Sequence, residues 1–399
     1  MTAIHETATG EYQPMVELAR GVGPVLEEHA RDAERERRLS RPALDAMAEA
    51  GLFRLLLPRA LGGFEVDPVT CARVVEEVSG FDTAAGWALQ AGNLGAWWSA
   101  RLPPEGVDEI YGDNPSSLMA AAFHPPQQAI EVPGGFRVTG RGPLASNVHD
   151  AQWLFLTAMI MDGERPRITD GTPEIIGLVV RTSEARVIDT WHSLGMRATD
   201  SNDVVVDQLF VPQTRTFRLM PSYQPGSRFE GPLYRFPAIG ASLMIVAPVP
   251  LAAARGALDE VRELARRKTA FGFTKPLRER AVVQAAVAKA EARLRSARLF
   301  FYATLGEAWA RACTGEGSSL EQKADLLLAG SYLVSTAAEV TDMMHRIAGT
   351  SGIYQRSPLE RHMRDVQTLR HHGFASENRL EAVGQIYLGL PPEFAMVAF

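Results

Sequence analysis

The sequence predicts an α+β fold that is mostly α. It divides into an N-terminal helical domain over residues 1–116, a central β-barrel or sandwich over 117–235, and a C-terminal four-helix bundle over 236–399. Three observations carry this. Apolar residues recur at three- and four-residue spacing up to about Tyr111. Short β-branched and aromatic runs alternate with turn residues from about Ser117 to Arg235. Long alanine-rich helical patterns return from Pro237. The strand runs are not interleaved with long helices, which argues against a doubly wound parallel sheet.

In the first zone, "MVELARGVGPVLEEHARDAERERRL" gives one apolar stripe and then a charged, solvated face. Ser40-Arg41-Pro42 reads as a helix start, with serine as N-cap and proline in the first turn, and Leu44, Met47 and Leu52 line one side. Pro58, Gly62 and Gly63 interrupt the helices before "PVTCARVVEEVSGFDTAAGWALQAGNLGAWW" resumes them. In the middle zone, "LMAAAF", "GGFRVTGRG", "QWLFLTAMI", "EIIGLVV", "ARVIDTW" and "NDVVVDQLFV" have the length and composition of strands. The last zone holds four helical segments, beginning near Ala254, Arg280, Leu320 and Ser357, that suit a bundle.

Composition narrows the function classes. The 399 residues are 46% apolar and 22% charged, the balance of an ordinary soluble globular protein. A net charge of −6 argues against nucleic-acid binding, which needs a basic excess. No run is expected to reach the roughly eighteen apolar residues of a membrane span, and "MTAIHETATGEYQ" lacks the basic start and apolar core of a signal peptide. Cys71 and Cys313 are the only cysteines, which indicates neither a disulfide framework nor a cysteine zinc site. The expectation is a reduced, cytoplasmic protein.

Familiar motifs are missing. No G-x-G-x-x-G follows a strand, and there is no P-loop, nucleophile elbow or H-E-x-x-H helix. The distinctive stretch is "RDVQTLRHHGFASENR", where His371 and His372 adjoin in a chain with nine histidines. His362 precedes them by nine and ten residues, roughly 2.5 turns on a regular helix, so the three do not converge on a metal. The pair is either ordinary helix surface or holds a group that titrates near neutral pH and handles a proton. Chemistry alone does not choose between them.

Five local signatures go further. They are "AMAEAGLFRLLLPRALGGFEVDP", "GGFRVTGRGPLASNVHDAQWLFL", "DTWHSLGMRATDSNDVVVDQLFVP", "ARRKTAFGFTKPLRERAVVQAAVA" and "SPLERHMRDVQT". In this order they resemble the acyl-CoA dehydrogenase fold superfamily. The resemblance implies a flavin between sheet and bundle, commonly in a homotetramer. Ser146 falls where the family places a hydroxyl facing flavin N5, with Asn147 beside it, although a turn serine after a strand is the plain alternative. Thr199 and Ser201 match the polar pair that follows the position of Arg197. Arg266, Arg267 and Lys268 precede Phe271-Gly272, a region that reaches the flavin phosphate in the family; three cations at a helix end equally suit a solvated face.

The base separates two chemistries. Acyl-CoA dehydrogenases remove an α-proton with a glutamate soon after R-D, or with one on the first bundle helix. Aligning on Gly373 puts His372 at the first position, and no carboxylate lies between Ile239 and Arg255 at the second. Glu377 remains as a fallback. Histidine at this place resembles the two-component, reduced-flavin-dependent (group D) monooxygenases, and counting eight residues from Arg364 also lands on His372. That resemblance implies reduced flavin (FMN or FAD) from a separate flavin reductase, O2 added at the flavin C4a, and a small aromatic or polyketide-like substrate. His372 and Ser146 would be the catalytic groups, with His371 pointing about 100° away on the same helix. Trp87, Asn93, Trp97, Trp98, Phe123 and His124 occupy segments that line such sites, though aromatics at helical spacing also build cores. Gly142-Pro143 and Asn147 depart from the aromatic-Ser-Gly of many oxygenases, which loosens the flavin geometry. Two alternatives stay open: an acyl-CoA dehydrogenase or oxidase, whose flavin acyl-CoA would reduce, and a flavin-free fold-mate acting as a non-redox catalyst or binding protein.

Overall fold

A computed structural model of the chain describes residues 13–220 and 228–398. The N-terminal residues 1–12, read above for their lack of a leader pattern, lie outside the described residues. The first helical part comprises α1 (Gln13–Glu36), α2 (Arg41–Glu49), α3 (Pro68–Phe81), α4 (Thr83–Ser99) and α5 (Pro104–Tyr111). Ser40 caps α2 as expected, its hydroxyl accepting from the Ala43 N–H at 3.3 Å. Leu44, Met47 and Leu52 are buried. Asp67 caps α3 and Asp82 caps α4, each accepting two backbone N–H groups. Every residue of α4 is buried, because the helix runs between α3, the sheet, and the apolar start of the bundle.

The sheet strands are β1 (Met119–Val132), β2 (Gly135–Ala145) and β3 (Trp153–Asp162), the two-residue β4 (Arg165–Pro166), β5 (Ile168–Thr169) and β6 (Thr172–Pro173), then β7 (Ile175–Arg181), β8 (Arg186–Ile188), β9 (Asn202–Pro212) and β10 (Thr216–Met220). The expected barrel or sandwich is realised as one mixed sheet in the order β10-β7-β3-β1-β2-β9-β8, with β4 on β3 and β5-β6 apart. β1 pairs parallel with β3, and the other pairs are antiparallel. Two irregularities shape the site. The β1–β3 register shifts between Ala122 and Gln127, so Phe123 to Pro126 leave the ladder. The β2–β9 register shifts between Gly142 and Ala145, where Pro143 has no N–H to give.

The last part holds α6 (Pro232–Arg235), α7 (Ala238–Val246), α8 (Pro248–Arg267), α9 (Ala281–Thr314), α10 (Leu320–Ala348), α11 (Pro358–Leu369) and α12 (Arg379–Tyr387). The four expected segments are α8 to α11. α10 packs on α8, α9, α11 and α12, and α3 of the first part completes the bundle against α8. One expectation is corrected here. Ala238–Arg267 is long and apolar enough to cross a membrane, with mean hydropathy 1.6 over its best window, but 94% of that window is buried inside the protein. The run comprises α7, which is buried throughout, and α8, whose inner face is buried while Asp259, Arg262, Glu263 and Arg266 face outward.

Candidate active site

Two helices set the geometry. Arg361 on α11 donates to Asp82 at 3.0 Å, the same carboxylate that caps α4. This contact joins the start of α4 to α11, so Trp87 on the second turn of α4 meets the chain that leaves α11. The Trp87 and His372 rings stand edge to face, 5.1 Å apart at 74°. His371 and His372 are not on a helix. α11 ends at Leu369, the His372 N–H turns back to the Leu369 carbonyl at 2.9 Å, and the next turn leaves His371 exposed. The two side chains part as a tight turn directs them, His372 toward Trp87 and His371 outward, and not by the expected rotation of about 100° on one helix.

On the other side of Trp87 runs a chain of hydroxyls whose direction is fixed. Thr199 Oγ1 donates to the Met196 carbonyl at 2.8 Å. Its only proton is thereby used, so Ser201 donates to Thr199 at 2.7 Å and Ser146 donates to Ser201 at 2.7 Å. Trp87 Nε1–H donates to Ser146 Oγ at 2.9 Å. Ser146 Oγ therefore keeps one acceptor lone pair and no free proton. The loops carrying these groups are tied together. The Asn147 N–H donates to the Thr199 carbonyl at 2.8 Å, with Asn147 in the left-handed region at φ 57°. Buried Asp200 accepts from the His149 backbone N–H at 2.9 Å and hydrogen-bonds its ring at 2.8 Å, and accepts from Asn202 Nδ2 at 2.7 Å. Asn147 Nδ2 is buried and has no hydrogen-bond partner among the described residues, a donor left over for a ligand.

The loop Ser193–Arg197 docks on α11 through its backbone. Met196 N–H donates to Asp365 Oδ1 at 2.6 Å and Gly195 N–H to Thr368 Oγ1 at 3.0 Å. Gly195 lies so close to α11 that a Cβ there would stand 2.2 Å from the Arg364 carbonyl oxygen. Burial raises the Asp365 carboxyl to about 6, opposed by the charge of Arg361 and by the Met196 N–H. The R-x-x-R-D signature thus holds together α4, α11 and the loop that leads to Thr199.

Burial, reinforced by the charge of Arg379, lowers His372 to about 4, although part of the residue still reaches the surface. The imidazole is neutral at pH 7. Its Nδ1 accepts from the Phe374 N–H at 3.4 Å, which assigns its proton to Nε2. A histidine held below its unfolded value favours folding fully above pH 6.5, and that contribution disappears as pH falls through 4. Partly buried His362, also lowered to about 4 by burial and by the charge of Arg361, acts in the same direction. The melting temperature is therefore expected to fall as pH drops from 6.5 toward 4, and to fall less steeply in His372→Phe, which a thermal melt at each pH would show.

Several candidates from the sequence serve other ends. Asn93 is buried with its amide spent on Leu56 N–H, Leu52 O and Leu89 O, so it braces the chain after α2 and is corrected to a structural residue. Trp97 is likewise structural: its Nε1 donates to the Leu233 carbonyl and its face carries Arg101 at 3.5 Å. Both lie deeper along α4 than Trp87, where the helix is packed against the chain after α2 and against Leu233. Lys268 ties α8 to the end of α10, donating to Ala348 O and to Ser351 Oγ at 2.8 Å. Arg266 pairs with Glu263 at the surface, and Arg267 is exposed and lines a cleft of about 370 Å³ with Tyr354 and Arg356. Phe271 is fully exposed and touches no site group. Arg197 donates to the Ser193 carbonyl at 3.2 Å, outside the hydroxyl chain. His124 is exposed on the β1 bulge, while the Phe123 ring turns inward to Trp98, Phe155 and Phe374. Glu377, the fallback base, is exposed and stands 3.9 Å from Arg370. A cleft of about 600 Å³ among Arg20, Glu77, Arg255 and Asp259 also lies elsewhere. The sequence reading missed Phe374, whose ring is 5.7 Å from His372 and 6.0 Å from Phe123; its position two residues past the histidine was the available signal.

A directed hydroxyl chain ending in a free lone pair, an orphaned amide donor and a neutral imidazole fit a reduced flavin. Reduced flavin presents an N–H where oxidised flavin presents only a lone pair. Fold and site together define a flavoprotein of acyl-CoA dehydrogenase architecture. The family models "Acyl-CoA dehydrogenase, N-terminal domain" and "Acyl-CoA dehydrogenase, C-terminal domain" match residues 17–102 and 243–377. The chain is 32% identical over 362 residues to an indole-3-acetate monooxygenase of Pseudomonas putida, covering 90% of each. It is 28% identical over 407 residues to the oxygenase component of an FADH2-dependent resorcinol hydroxylase of Rhizobium sp., covering 98% of each. The solved structure of XiaF from Streptomyces sp. in complex with FADH2 and glycerol matches with TM-score 0.89 and 26% identity over 96% of both chains. The chain belongs to the acyl-CoA dehydrogenase superfamily and, within it, to the flavin-dependent monooxygenases that work with reduced flavin.

Proposed function

We propose that this chain is the oxygenase component of a two-component system that hydroxylates a small aromatic substrate of indole or phenol type. The hydroxyl chain carries the reading: its protons all run away from Ser146, so the one place left at Ser146 takes a donor. Bound reduced flavin supplies the electrons that activate O2. Ser146 would accept the flavin N–H, and Asn147 Nδ2 would donate to a flavin acceptor. Trp87, Phe123 and Phe374 would form the wall against which an aromatic ring lies. His372 would act through Nε2–H, donating toward the reacting oxygen and taking a substrate proton only as that proton leaves, because so weak a base holds no lasting charge. The described residues place no carboxylate against His372 or Trp87, which supports this reading over α-proton abstraction from an acyl-CoA. Exposed Val282, Leu299 and Phe300 on α9 and Tyr332 on α10 support a face between copies in a homotetramer, which light scattering would test. The functional test supplies FMNH2 or FADH2 from a separate reductase, with indole-3-acetate, indole and resorcinol offered in turn. Oxygen uptake matched by hydroxylated product is expected; bleaching of bound flavin by acyl-CoA, with no aromatic product, would overturn the reading.

A further inference from the structure

The aromatic wall continues past His372 to a cation. The Phe374 ring stands 6.4 Å from Phe394, and the Arg379 guanidinium lies 4.0 Å over that Phe394 ring. Arg379, the first residue of α12, spends Nε on the Gly373 carbonyl at 2.6 Å, which fixes it against the turn that presents His372 and Phe374. Among the described residues no carboxylate comes within ion-pairing distance of it; nearby Glu377 stands against Arg370 instead, at 3.9 Å. The other arginines around the site differ. Arg361 holds Asp82 and Asp365, and Arg364 holds Glu34 and Glu360. Arg379 is partly buried, burial lowers its pKa, and its charge is felt at His372. A partly buried cation without a counter-charge is a ready place for an anion. Its two Nη groups make no hydrogen bond within the described residues, and such a planar fork matches a carboxylate in two parallel bonds.

We propose that the substrate of this site is an aromatic acid, its ring against Trp87, Phe123 and Phe374 and its carboxylate held by Arg379. This rests on the aromatic-hydroxylase reading above and adds the charge that reading leaves open. The alternative role for Arg379 is a brace for Gly373 alone, and the test separates the two roles by comparing ligands of one shape and different charge. Indole-3-acetate and 3-methylindole are titrated anaerobically into the full chain loaded with reduced flavin, followed by calorimetry. The wild-type protein is expected to bind the acid more tightly, and Arg379→Gln to weaken the acid about 10- to 100-fold while changing the affinity for 3-methylindole less than about twofold. Arg379→Lys should recover part of the difference. Equal weakening of both ligands, or of neither, overturns the proposal. So does a wild-type protein that binds 3-methylindole as tightly as the acid. Failure of the underlying reading looks different: no aromatic compound, charged or neutral, would be hydroxylated at all.

Discussion

Replacing His372 with alanine is expected to slow product formation by about 10²- to 10⁴-fold, the range removed with a positioned proton-transfer group. Binding of reduced flavin should change only a few-fold, because the hydroxyl chain through Ser146, Ser201 and Thr199 makes no hydrogen bond to the histidine. Single-turnover mixing of the reduced holoprotein with oxygen and substrate would read the rate, and an anaerobic flavin titration would read the affinity. The split matters because His372 also packs on Trp87, whose Nε1–H holds Ser146. His372→Phe keeps the ring contact and should still lose the rate. His371→Ala, removing an exposed residue, should retain it. Full turnover by His372→Ala would remove the residue from the mechanism.

Replacing Arg361 with methionine is expected to cost about 3–5 kcal/mol of folding stability, the usual penalty for removing one partner of a buried ion pair. The guanidinium stands 3.0 Å from Asp82, 3.5 Å from Asp365 and 3.9 Å from Glu34. Asp82 and Asp365 are almost wholly buried, and without Arg361 each keeps only backbone N–H donors. Urea unfolding would read the loss as a lower midpoint at an unchanged slope. The consequence reaches the site, since the Asp82 contact holds α4 to α11 and hence Trp87 to His372. Asp82→Ala should cost comparably, losing the α4 cap as well as the pair. A change below about 1 kcal/mol in both variants would mean that this network does not hold the two helices together.

The order of helices, sheet and helices was legible because it rests on local periods and caps. Ser40 shows this: its residue type, the proline that follows and the apolar stripe behind it are all written within a dozen positions. His372 was legible by register but not by setting. The end of α11 depends on the turn that Leu369 and His372 make with their backbones, which no periodicity announces. Asn93 and Trp97 misled because, on one aromatic helix, residues that face a site and residues that brace the core look alike in sequence; only the partners from the chain after α2 and from Leu233 tell them apart. Lys268 misled for the same reason at longer range, its carbonyl partner lying at the far end of α10. Asp200 and Arg379 carried no local signal, because their roles exist only when separate loops meet.

On the function proposed above, the protein places one atom of O2 on an aromatic ring, using reduced flavin held at Ser146 beside a neutral His372. Running the reaction under ¹⁸O2 in ordinary water, with reductase-supplied flavin and indole-3-acetate as substrate, tests it most directly by mass spectrometry of the product. One ¹⁸O atom is expected in each hydroxylated product molecule, and no product is expected when flavin is supplied only in oxidised form without a reductant. A product carrying oxygen from water, or turnover that survives the exclusion of O2, would contradict it.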